Sequence, residues 1–210
     1  MKKIKYLMFC AAVSGMMAGT IWAADSKTPA GAETTTLENL QEAYNGESNA
    51  MVRYEAFAAK AETEGYLGAA GLFRAAALSE SIHAAKHAKA IEALGAAPKA
   101  ELKAPVVKTT RENLKEAVNG ENHESKKMYP AFLKKAEADK NQQAMYSFKG
   151  AMAAEKMHSQ LYAKALANLK DWKAKKKIIV CQACGYTTMD LKLKTCPVCS
   201  QPRSQFTEIE

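Results

Sequence analysis

The sequence predicts a mainly helical protein: a four-helix bundle made from a duplicated helical hairpin, followed by a small cysteine-rich lobe. Three observations predict it. Up to residue 178 the 210-residue chain is rich in Ala, Lys and Glu and poor in β-branched residues, which favours helix. An internal repeat runs through that region. Thr35-Thr36-Leu37-Glu38-Asn39-Leu40-Gln41-Glu42-Ala43 matches Thr109-Thr110-Arg111-Glu112-Asn113-Leu114-Lys115-Glu116-Ala117 at an offset of 74. After one inserted residue the offset is 75: Ala56-Phe57 meets Ala131-Phe132, Glu80 meets Glu155, and His83 meets His158. From Ile178 onward the composition shifts to β-branched residues, Cys, Gly and Pro.

Residues 1–24 read as a signal peptide. Lys2-Lys3-Ile4-Lys5 is a positive start, Tyr6 to Trp22 is apolar, and Ile21-Trp22-Ala23-Ala24 offers a cleavage site. This predicts export to the periplasm. An uncleaved anchor facing the periplasm is the alternative, and only that reading involves a membrane. Residues 25–34 read as a disordered spacer.

The bundle is predicted over 35–171. Each hairpin opens with a capping-box pattern, Thr35-x-x-Glu38 and Thr109-x-x-Glu112. The first helix places Leu37, Leu40, Tyr44, Glu47, Met51, Tyr54, Ala58 and Ala61 on its apolar seam, and Gly65 ends it. The second carries Phe73, Ala76, Glu80, His83, His87, Ala90 and Leu94 to a stop at Gly95. Pro98 and Pro105 mark a crossover that must run the length of the bundle. The third helix carries Leu114, Val118, Glu121, Glu124 or Ser125, Met128 and Phe132, and Pro130 should kink or interrupt it. The fourth carries Phe148, Ala151, Glu155, His158, Tyr162, Ala165 and Leu169. Residues 172–178 read as a solvated basic linker, and 179–210 as a lobe too poor in apolar residues to fold without a metal.

Formal net charge is +8, and Lys2, Lys3 and Lys5 of the leader contribute to it. The rest is spread out. No basic face interleaved with aromatics is present to suit nucleic acid.

Glu47, Glu80, Glu121 and Glu155 fall on apolar seams at repeat-related places. A buried carboxylate must protonate or find a cation. His83 and His158 follow Glu80 and Glu155 by three residues, so each pair shares a helix face. Oxygen-rich sets with imidazoles suit iron or manganese. A bundle with one Glu from each of two helices and Glu-x-x-His from each of the others is the layout of di-iron carboxylate proteins. Glu124 breaks the symmetry, because its counterpart is Ala50. It reads as a seventh ligand. Tyr54 and Tyr129 read as donors that steer the carboxylates. His87 reads as a core histidine near the site, and His123 as outward. Cys181-x-x-Cys184 and Cys196-x-x-Cys199 read as two knuckles around one tetrahedral metal, with Gly185 supplying a positive φ that lets backbone N–H groups reach a sulfur. Iron there makes an electron relay; zinc makes a structural ribbon.

These residues resemble the rubrerythrin family: a ferritin-like di-iron bundle followed by a rubredoxin-like domain. The likeness covers roughly residues 35–208. Its motifs are Gly46-Glu47-Ser48, Glu80-x-x-His83, Gly120-Glu121-Asn122-x-Glu124 with Met128-Tyr129-Pro130 downstream, Glu155-x-x-His158, and the two knuckles. The resemblance implies that Glu47, Glu80, His83, Glu121, Glu124, Glu155 and His158 hold two irons. Cys181, Cys184, Cys196 and Cys199 would hold one more, with zinc the alternative. One di-iron ion would exchange Glu124 for His83 with redox state. The implied activity is reduction of hydrogen peroxide to water, with electrons relayed through the cysteine-held iron. The implied assembly is a homodimer in which one subunit's cysteine-held iron lies near the other's pair. Only 11 residues separate Cys184 from Cys196, so this lobe is shorter than free rubredoxin. An exported form needs a donor such as a cytochrome or a rubredoxin-type carrier. A ferritin-like ferroxidase and a non-enzymatic metal-binding module with a zinc tail are the competing readings.

Overall fold

A computed structural model describes residues 34–210; the expected signal peptide over 1–24 and most of the expected spacer over 25–34 lie outside the described residues. Among the described residues no helix is long and apolar enough to cross a membrane.

Four long helical rods form the bundle. They are α1 (Thr36–Thr63), α2 (Leu67–Ala93), a third rod made of α3 (Thr110–His123) and α4 (Tyr129–Ala138), and α5 (Gln142–Ala167). Both capping boxes form: Thr35 and Thr109 accept from the amides of Glu38 and Glu112, whose carboxylates reach back. Gly65 and Gly95 take φ of +77° and +76° where the chain leaves α1 and α2.

The buried row of α1 is Leu40, Ala43, Glu47, Ala50, Tyr54, Phe57, Ala58 and Ala61. This corrects the expected seam. Tyr44 and Met51 are only partly buried, and Ala43 and Ala50 lie deeper. Small residues there let α2 come close, which a reading that favours large apolar side chains misses. Leu94 is also corrected: it is exposed just past the end of α2.

α3 and α4 are joined by a π turn, Glu124–Met128, and the rod runs on without a break. A π turn carries one more residue than an α turn. It sits where the repeat offset changes from 74 to 75. Tyr54 follows Glu47 by seven residues and Tyr129 follows Glu121 by eight, yet both keep the same face. Pro130 sits in the first turn of α4. The expected irregularity is therefore a π turn just ahead of the proline, where the missing N–H is absorbed.

The crossover lies along α1 as an extended strap. Gln41 Nε2 donates to Ala97 O at 2.7 Å and Gln41 Oε1 accepts from Lys99 N at 3.1 Å. Asn45 Oδ1 accepts from Glu101 N at 2.8 Å. Asn49 Nδ2 donates to Glu101 O and its Oδ1 accepts from Lys103 N, both at 2.9 Å. Positions i and i+4 of a helix are about 6 Å apart along its axis, and two extended residues span roughly 6.6 Å. The amide side chains of one helix face thus match every second residue of the strap.

The C-terminal lobe is a three-stranded antiparallel sheet, order β2-β1-β3, with β1 Ile178–Cys181, β2 Thr187–Thr188 and β3 Phe206–Ile209. It packs onto α2 and α5 of its own bundle. Ile178 and Val180 join the bundle core. The linker is pinned rather than free. Trp172 is buried and Lys173 O accepts from Leu67 N at 3.2 Å, while the lysine side chains are largely solvated. Lysines on both sides of Trp172 hide its role in a reading by composition.

Candidate metal centres

Two apolar clusters divide the bundle. One holds Tyr54, Phe57, Phe73 and Tyr162; the other holds Leu40, Ile91, Tyr129, Phe132 and Phe148. A polar cluster joins them. Glu47, Glu80, His83 and Glu155 form one set of candidate ligands, and Glu80, Glu121, Glu155 and His158 form another. All are buried, and the donor atoms within each set lie within 4.8 Å of one another. Glu80 and Glu155 belong to both sets, the placement of carboxylates that bridge two ions.

His83 Nδ1 lies 3.0 Å from Glu80 Oε2 and 2.9 Å from Glu155 Oε1. His158 Nδ1 lies 2.8 Å from Glu155 Oε2 and 3.3 Å from Glu80 Oε1. The far nitrogens fix the tautomers. His83 Nε2 is 3.1 Å from Cys184 O, a carbonyl that can only accept, so Nε2 carries the proton. His158 Nε2 is 3.0 Å from Thr187 Oγ1. That hydroxyl already donates to Gly185 O at 2.9 Å, so it accepts from Nε2–H. Both Nδ1 atoms are thereby turned toward the carboxylates as ligand atoms.

The tyrosines cross between the repeats. Tyr54 OH donates to Glu121 Oε1 at 2.5 Å, and Tyr129 OH donates to Glu47 Oε1. His87 is not a ligand; its Nε2 is 3.1 Å from Tyr129 OH and its Nδ1 is 2.8 Å from Ser147 Oγ. Burial and the neighbouring His83 push its pKa down to about 3, so it is neutral. His123 is exposed.

The residues present fit two cations. Glu47 Oε2, Glu80 Oε1, Glu121 Oε2, both Glu155 oxygens and His158 Nδ1 are buried without a hydrogen-bond partner. His158 and Glu155 are close yet make no hydrogen bond, as donors arranged around shared ions would be. Electrostatics agree. Burial, with the charges of Glu155 and Glu80, raises Glu47 well above the usual carboxylate range, and burial raises Glu121 to about 7. Glu80 falls to about 2 against its burial, because His158 and His83 face it. Four carboxylates exceed what two imidazoles can balance, and metal ions supply the missing positive charge.

Glu124 and His83 stand in one of the two arrangements that the expected exchange between them allows. Glu124 is half-buried in the π turn and belongs to neither set. His83 Nδ1 faces the carboxylates instead. Burial and the charges of Glu47, Glu121 and Glu155 raise the pKa of Glu124 well above normal.

The four cysteines are unbridged and form a third set. Cys181 Sγ is 3.6 Å from Cys199 Sγ, and Cys184 Sγ is 3.5 Å from Cys196 Sγ. Four sulfurs about 2.3 Å from one metal are roughly 3.8 Å apart, close to what is seen. Burial pushes the Cys181 thiol up to about 11 and that of Cys184 higher, so thiolates persist here with a cation among them. The two knuckles repeat one geometry. Gly185 N donates to Cys181 O at 2.8 Å and Ser200 N to Cys196 O at 2.9 Å, with φ of +78° and +59°. The amide of Gly185 thus reaches a carbonyl; the amides that reach sulfur are those of Ala183, Cys184, Tyr186 and Gln201. Gly185 has a second reason to be glycine. A Cβ there would lie 2.3 Å from His83 Nε2.

That contact joins the two metal sites. Ser79 Oγ donates to Gly185 O at 2.7 Å beside the bond from His83 to Cys184 O. The approach that the resemblance places between subunits is made here within one chain. Ser79 and Thr187 carry it, and sequence reasoning missed both, because neither has a periodic or motif signal.

A family model described as Rubrerythrin matches residues 38–166. The chain belongs to the rubrerythrin family. It is 37% identical over 185 residues to nigerythrin of Nitratidesulfovibrio vulgaris, covering 88% of this chain and 90% of that one. Rubrerythrin-2 of Clostridium acetobutylicum is 35% identical over 175 residues, with 81% and 95% covered. The structure of nigerythrin in its fully reduced, all-ferrous state superposes with a TM-score of 0.79 at 35% identity, covering 89% and 91%. A bacterioferritin from Desulfovibrio desulfuricans shares the bundle fold at TM-score 0.60 and 21% identity. The bundle is thus ferritin-like and the C-terminal lobe rubredoxin-like. The carboxylate–histidine sets are the di-iron site of this rubrerythrin, and the cysteines are its third metal site.

Proposed function

We propose that this rubrerythrin is a non-haem di-iron peroxidase of oxidative-stress defence. It takes two electrons and two protons to reduce hydrogen peroxide to two waters. The observation that carries this reading is the contact of His83 Nε2 with Cys184 O. It gives a short path of covalent bonds and one hydrogen bond from a cysteine sulfur to an imidazole of the di-iron site. Iron storage needs no such path.

The irons, when bound, supply the electrons and the Lewis acidity that O–O cleavage requires. The chain does the rest. Tyr54 and Tyr129 hold Glu121 and Glu47, and burial keeps bulk water from the site. Protons have a route in. Tyr129 OH donates to Glu47, so His87 Nε2–H donates to Tyr129 and His87 Nδ1 accepts from Ser147 Oγ–H. Every donor of that chain points toward Glu47. Ser147 borders an outer groove of about 610 Å³ that also holds Lys86, Lys89, Gln182 and Ala183. Gln182 and Ala183 lie between Cys181 and Cys184, so a carrier seated there reaches the cysteine site. Lys86 and Lys89 suit an acidic carrier protein of cytochrome or rubredoxin type.

The test is stopped-flow spectroscopy on iron-loaded, anaerobically reduced protein mixed with one equivalent of peroxide. Oxidation of the di-iron pair is expected first, followed by the thiolate–ferric band of the cysteine site. Faster oxidation by dioxygen than by peroxide would favour a ferroxidase. No thiolate–ferric band would make the cysteine site zinc and remove the relay.

We propose a periplasmic location, on the reading of residues 1–24 as a signal peptide, with a membrane anchor as the alternative. A reporter fused behind residues 1–24 should be exported; its retention in the cytoplasm would overturn the assignment.

A further inference from the structure

The amide ladder between α1 and the strap stops at a definite point. Gln41, Asn45 and Asn49 each pair with strap backbone, and the next residue on that face is Arg53. The strap residue two beyond Lys103 is Pro105, which has no N–H to offer. There the two segments part around a cavity of about 380 Å³. Gly46, Arg53, Ala104, Val106, Glu116 and Glu124 line it. Gly46 is the residue before the ligand Glu47. Glu124 is the first residue of the π turn, three positions past the ligand Glu121 in the same rod. The cavity therefore reaches from the strap to a half-buried acid three residues from a ligand of the di-iron site.

Gly46 is the sharper clue. A glycine inside a helix costs about 1 kcal/mol relative to alanine. Close packing would explain it, but a Cβ there would meet nothing within 4 Å. Its value is the space it leaves. Gly120, at the matching place in the other repeat, also has nothing within 4 Å and does not line the cavity.

We infer that this cavity is the vestibule through which peroxide reaches the di-iron site, with Gly46 keeping it open and Glu124 forming its inner wall. Its lining suits a small hydrogen-bonding molecule. Asn45 and Asn49 are committed to the strap, and Arg53 brings a positive charge to the lining beside Glu116. The naming of peroxide rests on the peroxidase reading; the vestibule itself does not.

Nitric oxide is the probe, because it is small, uncharged and binds ferrous iron whether or not peroxide is turned over. Its association with the reduced, iron-loaded chain is followed by stopped-flow absorbance in wild type, Gly46→Leu, Ala104→Phe and Gly120→Leu. Gly46→Leu fills the cavity from the helix and Ala104→Phe from the strap. Both are expected to slow association by about tenfold or more, a modest added barrier. Gly46→Leu should also melt at or above the wild-type temperature, since leucine favours helix over glycine. Gly120→Leu should associate at the wild-type rate. Wild-type association in the two cavity-filling variants would overturn the inference, as would equal slowing in Gly120→Leu. If association slows as expected but peroxide is not consumed by wild type, the vestibule stands and the peroxidase reading fails.

Discussion

Replacing Glu155 by alanine is expected to strip both ions from the bundle. Glu155 belongs to both ligand sets, and both of its oxygens are buried without a hydrogen bond. It also faces both imidazoles, at 2.9 Å from His83 and 2.8 Å from His158. Losing it removes one ligand from each ion at once. Peroxide turnover should fall at least about 10³-fold, the equivalent of roughly 4 kcal/mol of transition-state stabilisation. Iron analysis should find only the cysteine-held ion. Helix content should hold, because alanine is the best helix former and α5 is anchored along its length by Phe148, Ala151 and Tyr162. A Glu155→Ala protein that keeps two bundle irons would show that the ions do not share this carboxylate.

Cys196→Ser is expected to separate the two halves of the reaction. The lobe's own core is Ile179, the knuckle cysteines and Phe206 with a few partly buried neighbours, too little to replace a metal. Turnover driven by a protein donor should fall by at least the 10–100-fold typical of losing an outer partner of a metal site, and by more because a ligand is lost. Chemically reduced protein should still consume its first equivalent of peroxide, since all of the di-iron ligands lie in the bundle. Donor-driven turnover at the wild-type rate would mean that electrons bypass the cysteine site.

Much of this was legible in the sequence because the site violates what surrounds it. Glu47, Glu80, Glu121 and Glu155 interrupt apolar seams at repeated places, and buried acids without partners are too costly to be accidental. The helix starts and stops were legible for the same kind of reason: Thr35, Thr109, Gly65 and Gly95 each do something local that few other residues can. What escaped depends on distance or on choice among similar side chains. Ala43 and Tyr44 are both apolar, so periodicity alone could not say which lies deeper in α1. Ser79 and Gly185 are far apart in sequence, and a serine announces no partner. The inserted residue was visible as a change of offset, but only the structure shows it as a π turn.

The crossed tyrosines carry a consequence of a different kind. Tyr54 of the first hairpin holds Glu121 of the second, Tyr129 of the second holds Glu47 of the first, and each ligand set draws on both. One hairpin alone encodes half a centre. Two identical hairpins meeting about a dyad would complete two equivalent halves, and the strap makes that pairing covalent. Fusion changes what inheritance allows. In a pair of identical chains every substitution appears twice, so the two ions must stay alike. In one chain the copies are free to diverge, and they have: Glu124 opposite Ala50, His87 opposite Tyr162, a π turn in one rod only. The proton route and the open wall of the site lie in those differences, so the two ends of the ion pair have become separate trades.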